Sequence, residues 1–238
     1  MTWTKLSEEI SNEYDQDPTR FLAKSSSQRA YLGEGSNIYR KIKQHPYLSL
    51  VKDKHLLNQQ SWGGYSQSTL RAVLYISEME KYFSPWHISH VTDFGPGYGN
   101  FTRVWDDLFG GTNFYQLVDL PNLHKISADY LAMHGMVEYI FHKTVDTMLN
   151  ASVFGGKSLF FASHSLNECS MKVRNQIEET LPDYDYVYFV YNDRFDDINN
   201  LKYFEKLADR LPHETYIYEE ESTAKWRLVG INDKKKSV

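Results

Sequence analysis

Between residues 88 and 108 an apolar run, a glycine turn and a helical face follow one another without a break. Ile88–Phe94 reads as a strand. Gly95-Pro96-Gly97-Tyr98-Gly99 supplies the turn, because glycine accepts left-handed backbone angles and lets a neighbour approach closely. Phe101, Val104, Trp105 and Leu108 then recur at i, i+3, i+4 and i+7, one face of a helix. A strand feeding a helix in this way belongs to a sheet covered by helices. In such an open sheet, ligands bind in the crevice beyond the carboxyl ends of the strands.

The same alternation continues. Phe114–Val118, Val137–Phe141, Ser158–Ala162 and Tyr184–Tyr191 read as strands. The last of these is almost wholly apolar and aromatic, as a strand covered on both faces should be. Leu123, Ile126, Tyr130 and Leu131 mark one intervening helix. Asn167–Leu181 is a second, with Cys169, Val173, Ile177 and Leu181 in register, and Leu201–Leu211 a third. Thr215–Tyr218 and Trp226–Ile231 have no helix between them, so they should pair antiparallel. Five strand–helix units and a closing hairpin give seven strands, an α/β fold. Before residue 86 the pattern is different. Ser66–Phe83 is a helix stopped by Pro85, and the segments around SEEISNEY and NIYRKIKQ have helical character. We therefore expect residues 1–85 to form a helical lid or extension, with 86–238 as the ligand-binding catalytic domain.

Composition narrows the function. The 238 residues suffice for a sizeable core. No window approaches 18 consecutive apolar residues, and the acidic, polar first residues lack the features of a secretory leader. A single cysteine, Cys169, excludes an internal disulfide and a multi-cysteine zinc site. A cytoplasmic protein is expected, with no membrane partner. The net charge of -5 disfavours a nucleic-acid backbone as partner. Lys234-Lys235-Lys236 reads as a solvated tail.

The glycine turn has acidic company. Asp93 precedes the first glycine by two residues, and Asp119 follows Gly99 by twenty, at the end of the second strand. A carboxylate at Asp119 can accept both hydroxyls of a ribose. A dinucleotide fingerprint would read G-x-G-x-x-G and would place a pyrophosphate on the helix terminus. Here the spacing is G-x-G-x-G, and Asp93 suits an ammonium rather than a pyrophosphate. S-adenosylmethionine carries an ammonium, a sulfonium and a ribose, and no phosphate.

With these residues in view, the stretch 88–231 resembles the class I S-adenosylmethionine-dependent methyltransferases. D-x-G-x-G-x-G after the first strand, the acid after the second and the terminal antiparallel hairpin carry the likeness. It implies a Rossmann-like, mostly parallel sheet of order 3-2-1-4-5-7-6. It implies cofactor contacts from Asp93, Gly95, Gly97, Tyr98, Gly99, Asp119, Leu120, His142 and Ser163. A narrower likeness, to bacterial sugar O-methyltransferases, rests on Trp62-Gly63-Gly64-Tyr65, on DFGPGYGNF and on VDLPNLHKISADYL, Asp119-Leu120-Pro121 above all. It implies O-methylation of a small molecule, a sugar or sugar-bearing metabolite.

Three residues are candidates for the chemistry. His164, just past the fourth strand, could take the hydroxyl proton, as imidazole titrates near neutrality; capping or packing at a loop is its plainer role. Glu168 follows it and would orient the ring. Asp193, after the fifth strand with Asp196 and Asp197 near it, could hold a divalent cation. The cation is the less favoured route, and capping is the plainer role for these acids. Trp62 and Tyr65, beside two glycines, could stack on a sugar or form a packed turn. Cys169 is expected to be an inert buried thiol. The rival readings are another acceptor (other small molecule, nucleic acid or protein), a non-catalytic cofactor-binding module, and a nicotinamide enzyme, which the glycine spacing disfavours. A homo-oligomer is compatible with all of them.

Overall fold

The computed structural model of the chain describes residues 3–18, 22, 35–51, 61–110, 114–136, 138–150, 155–223 and 225–232. Its centre is a seven-stranded sheet. In chain order the strands are β3 (Ile88–Phe94), β4 (Phe114–Val118), β5 (Ile140–His142), β6 (Lys157–Ser163), β7 (Tyr186–Tyr191), β10 (Glu214–Glu220) and β11 (Lys225–Ile231). They lie side by side as β10-β11-β7-β6-β3-β4-β5. Counted within the sheet this is 3-2-1-4-5-7-6, the order the resemblance implies. β11 runs antiparallel to both β10 and β7, and the other neighbours are parallel.

Two further hairpins, β1–β2 (Ser61–Trp62, Tyr65–Ser66) and β8–β9 (Arg194–Phe195, Ile198–Asn199), lie outside the sheet. The helices are α1 (Trp3–Gln16), α2 (Gly35–Ile42), α3 (Pro46–Leu50), α4 (Gln67–Met79), α5 (Asn100–Phe109), α6 (His124–Met133), α7 (Met171–Thr180) and α8 (Asn200–Arg210).

Alternation along the strands sorts the core into two layers. Leu159, Phe161, Tyr188 and Val190 face one side with α4, α5, α6 and the N-terminal helices. Phe160, Ala162, Phe189 and Tyr191 face the other with α7 and α8. On the first side Phe101 stacks on Phe161 at 3.5 Å between ring centres. Trp105 beside it is wholly buried, and a side chain of that size contributes on the order of 2–3 kcal/mol. Ile38 and Ile42 of α2 and Tyr47 and Leu48 of α3 belong to this same core. The described helices before residue 86 are thus packed into the layer that covers the sheet.

α4 is buried on most of its surface because it lies between the sheet and α2. Ser66 caps it, with Oγ accepting from the Thr69 amide at 3.2 Å. Its far end carries a buried ion pair: Glu78 Oε2 accepts from Arg227 Nε of β11 at 3.0 Å and from Tyr188 Oη at 2.6 Å. Lys41 of α2 pairs with Glu220 of β10 beside it.

Two elements differ from the sequence reading. The third sheet strand lies at Ile140–His142 rather than 137–141, and Val137 falls outside the described residues. Pairing decides this. Gln116, Leu117 and Val118 face Ile140, Phe141 and His142, and the carbonyl of His142 accepts from the Asp119 amide. The helix expected over 167–181 begins only at Met171. Before it Leu166–Glu168 is a 3-10 turn, and Cys169 is extended, with φ -89° and ψ 155°. Arg174 explains the break. Its guanidinium donates to the carbonyls of Asn167 (2.5 Å) and Cys169 (3.0 Å), so those carbonyls turn toward it instead of running up a helix. Lys234-Lys235-Lys236 lies outside the described residues.

Candidate functional site

A cavity of about 680 Å³ opens at the carboxyl ends of β3, β4 and β6, roofed in part by α1 and α4. The glycine turn forms its floor. Gly95 has φ +76°, and a Cβ there would fall on the side chain of Ser165, whose hydroxyl donates to the Phe94 carbonyl. Gly97 has φ +58°, and its amide donates to Asp119 Oδ2 at 2.9 Å. Asp119 Oδ1 accepts from the Leu120 amide at 2.7 Å. Two backbone donors therefore fix the carboxylate plane, and each oxygen keeps lone-pair capacity for a ligand. Asp93 is buried below it, with Oδ2 accepting from Thr102 Oγ1 at 2.8 Å.

Both carboxyls are pushed up to about 7, chiefly by burial. For Asp93 the Asp119 charge adds to the rise. Two acids lining one cavity can meet a cation or hydroxyl donors.

The other wall comes from the turn after β6 and from α4. His164 sits at φ +58°, an unusual angle for a non-glycine residue, held by its amide bond to the Val190 carbonyl at 2.9 Å. Burial lowers its imidazole to about 3, and the charges of Arg71, Lys225 and Arg227 add to this. The ring is thus neutral at physiological pH, and the expectation that it titrates near neutrality is corrected. Glu168 shows the reverse: burial raises its carboxyl to about 7. Ser163 closes the gap to α4 through a 3.4 Å contact between its hydroxyl and Tyr75 Oη. Cys169 is half-buried on the cavity wall, with its thiol pushed up to about 12 by burial.

Asp93, Gly95, Gly97, Tyr98, Asp119, Leu120, Ser163, His164 and Glu168 all line this one cavity. Five named candidates do not. Gly99 instead starts α5 at φ +88°, where a Cβ would press on Leu131 at 3.1 Å; it serves helix packing. His142 is buried as the last residue of β5, and its neighbour Lys143 reaches the cavity. Asp193 is exposed and off the cavity, its carbonyl accepting from the Asn200 amide. Asp196 and Asp197 occupy the two-residue turn of the β8–β9 hairpin, in solvent. Among the described residues no group of three or more His, Cys, Asp or Glu side chains is placed to hold a metal ion.

Trp62 and Tyr65 are the fourth and fifth. They are the paired residues of the β1–β2 hairpin, and Gly63-Gly64 at φ +61° and +89° is its two-residue turn. Trp62 packs against Gly35, and Tyr65 Oη donates to the Leu48 carbonyl at 2.6 Å.

Sequence reading missed Ser68, Arg71 and Tyr75, which α4 presents to the cavity at i, i+3 and i+7, and Leu6 of α1. The 3.6-residue period of Ser66–Phe83 was legible. That one edge of it would face a ligand was not, since core and cavity lie side by side on this helix.

The sequence matches no family model and no curated protein. Among solved structures, the chain is similar to a SAM-dependent methyltransferase from Aquifex aeolicus, at 12% identity and a TM-score of 0.51, over 65% of this chain and 88% of that one. It is likewise similar to the methyltransferase domain of bacterial CtHen1-C, at 11% identity and a TM-score of 0.51, over 68% and 97%. The shared property is the fold. About a third of this chain lies outside each match.

Proposed function

We propose that the chain is an S-adenosylmethionine-dependent methyltransferase whose acceptor is a hydroxyl of a small molecule. The observation that carries this reading is the presence of Asp93, the glycine turn, Asp119, His164 and Glu168 in one cavity. The residues suit the cofactor. Asp93 offers a buried anion to an ammonium, the fixed carboxylate of Asp119 offers acceptors to two ribose hydroxyls, and Gly97 admits close approach of a ligand. A bound cofactor would supply a methyl group on a cationic sulfur, ready for in-line displacement.

The remaining work belongs to the chain. Tyr75, Ser163 and His164 bound the acceptor end and fix the angle of approach, which supplies much of a displacement's barrier reduction. A neutral hydroxyl must lose its proton as the oxygen–carbon bond forms. Glu168, at about 7, is matched to receive it near neutral pH, whereas a base at about 3 is weak. His164 then serves as a neutral hydrogen-bond partner beside it. The segment 1–85 covers the site through α1 and α4 and keeps water out.

The acceptor we favour is a sugar or sugar-bearing metabolite, on the strength of the Asp119-Leu120-Pro121 stretch and its surroundings. Trp62 and Tyr65 take no part in holding it. A cytoplasmic setting accords with the lone thiol; no helix among the described residues is long and apolar enough to cross a membrane.

Calorimetric titration with S-adenosylmethionine and its demethylated product tests the cofactor. Transfer of labelled methyl to a panel of sugars, polyols, phenols, RNA and peptides tests the acceptor. Micromolar cofactor binding with label on a sugar hydroxyl is the expected result. Binding without transfer to any hydroxyl would overturn the O-methyltransferase reading and leave the cofactor reading standing.

A further inference from the structure

Six phenylalanine and tyrosine rings line the cavity, and five of them are already engaged. Tyr75 lies against Phe161 and Tyr188, Phe94 stacks on Phe160, Tyr98 meets Tyr130 edge-on, and Phe101 stacks on Phe161. All five are buried parts of the two core layers. Phe195 is the sixth. It is half-buried, packs in neither layer and meets no other ring among the described residues.

Phe195 sits on β8, the first arm of the small hairpin that follows β7. The hairpin is held at its base. The Asn200 amide donates to the Asp193 carbonyl at 2.9 Å, and Phe195 pairs with Ile198 across the turn. Asn199 Oδ1 caps α8 by accepting from the Lys202 amide at 3.0 Å. Asn200 Oδ1 accepts from Arg174 Nη1 at 2.9 Å, and the same guanidinium bonds the carbonyls of Asn167 and Cys169. One side chain thus ties the hairpin to the turn that presents Glu168. β8 lies directly against that turn, so Phe195 and Glu168 stand on adjoining elements of the cavity wall.

That juxtaposition selects a shape. The face of a phenyl ring carries negative charge density and attracts the weakly positive C–H groups of a flat ring laid upon it. Glu168, Ser163 and His164 supply polar partners in the same cavity. An open chain can meet those polar groups, but it presents no face to Phe195 and gives up more conformational freedom on binding.

We infer that Phe195 is the platform for the acceptor, and that the acceptor carries its hydroxyl on a ring whose apolar face lies against it, the hydroxyl turned toward Glu168. The inference rests on the reading of the chain as an O-methyltransferase and narrows its acceptor. The stacking role that Trp62 and Tyr65 do not fill falls to this hairpin at the carboxyl edge of the sheet. Two ring classes share the required chemistry, the pyranose of a sugar and a phenol, and transfer assays separate them.

Phe195→Leu is the discriminating variant, because it keeps apolar bulk and removes the flat face. Phe195→Tyr restores the face. Transfer of labelled methyl is measured to methyl glucopyranoside, methyl galactopyranoside, methyl rhamnopyranoside and 4-methylphenol, and to sorbitol as the open chain. Calorimetry with S-adenosylhomocysteine controls for folding and cofactor binding. The native chain should prefer a ring acceptor over sorbitol by at least about tenfold in kcat/KM. Phe195→Leu should raise the KM of that ring about tenfold and leave sorbitol within about twofold, and Phe195→Tyr should recover the native KM. Affinity for S-adenosylhomocysteine should stay within about twofold throughout.

Label on a pyranoside makes the ring a sugar; label on 4-methylphenol makes it an aromatic alcohol. No native preference for a ring, an unchanged ring KM in Phe195→Leu, or equal losses on ring and open chain overturns the platform. A native chain that binds S-adenosylhomocysteine and labels none of these acceptors overturns the hydroxyl reading, and the platform falls with it. A native chain that does not bind S-adenosylhomocysteine overturns the cofactor reading itself.

Discussion

A carboxyl buried before its ligand arrives holds its proton more tightly than one in water. Asp93 and Asp119, both near 7 in the folded chain, therefore make stability depend on pH in a definite direction. The folded state binds these protons more strongly than the unfolded state. Their protonated forms are tolerated in full below about 4, and the stability is lost as pH rises through about 7. Thermal melts of the ligand-free protein should show a Tm that falls between about pH 4 and pH 7, and Asp119→Asn should flatten that fall. Binding reverses the balance, since a cation beside Asp93 favours the ionised form. Calorimetry near pH 6 in buffers of different ionisation enthalpy should register proton release on cofactor binding. Asp119→Ala should weaken binding by about 5- to 150-fold, the loss of an acceptor for buried hydroxyls.

Turnover against pH separates the two catalytic candidates. A rising limb near 7 that vanishes in Glu168→Gln identifies the carboxyl; His164→Gln should leave the limb in place. Asp93, Gly95 and Gly97 were legible as cavity-lining because one short motif fixes them at a single turn, and Asp119 because it stands at the end of the next strand. His142, Asp193, Trp62 and Tyr65 were not. Whether a loop residue points at a ligand or at solvent depends on a register or hairpin that local pattern does not set.

At the level of elements, the turn that presents Glu168 is held from behind by one side chain. Arg174 bonds the carbonyls on both sides of Glu168, reaches Asn200 Oδ1 of α8 at 2.9 Å and lies 4.5 Å above the ring of Tyr203. Arg174→Met should free Leu166–Glu168, lower kcat by about tenfold or more and leave cofactor affinity nearly unchanged. Arg174→Lys, which retains the charge without the fork, should recover little of this. Gly95→Ala tests the other turn: a left-handed angle and a collision with Ser165 should cost about 1–3 kcal/mol in denaturant melts. The seven strands were foreseeable from alternating periods, since each strand–helix unit repeats one local signal, whereas their order came only with the resemblance carried by the glycine turn and the terminal hairpin. The 3-10 turn was not, as Arg174 breaks the helix through contacts that apolar spacing does not encode.

Over the whole molecule, the cover and the sheet are one body. α1 is pinned to the far side of the site by Tyr14 Oη to Asp129 at 2.7 Å, Asn122 to Ser7 at 3.1 Å and Lys125 to Asp15 at 2.6 Å. A chain begun at residue 61 would lose Ile38, Ile42, Tyr47 and Leu48 from the core and should fail to fold, rather than fold without its lid. Tyr14→Phe is the gentler probe. Hydrogen exchange in α1 should quicken in the ligand-free variant and slow again with cofactor present.

The Glu78–Arg227 pair joins residues 149 positions apart, and Lys41–Glu220 joins residues 179 apart. α4 supplies a wall of the cavity, yet its buried acid has only the half-exposed Lys41 at 3.8 Å as counter-ion until β11 brings Arg227. During translation the helices around α4 must wait, their apolar faces exposed to chaperones, for a strand made some 149 residues later. Contacts of such sequence separation slow folding. Ribosome-bound chains stopped short of residue 227 should therefore bind no cofactor, although the glycine turn and Asp119 emerged long before.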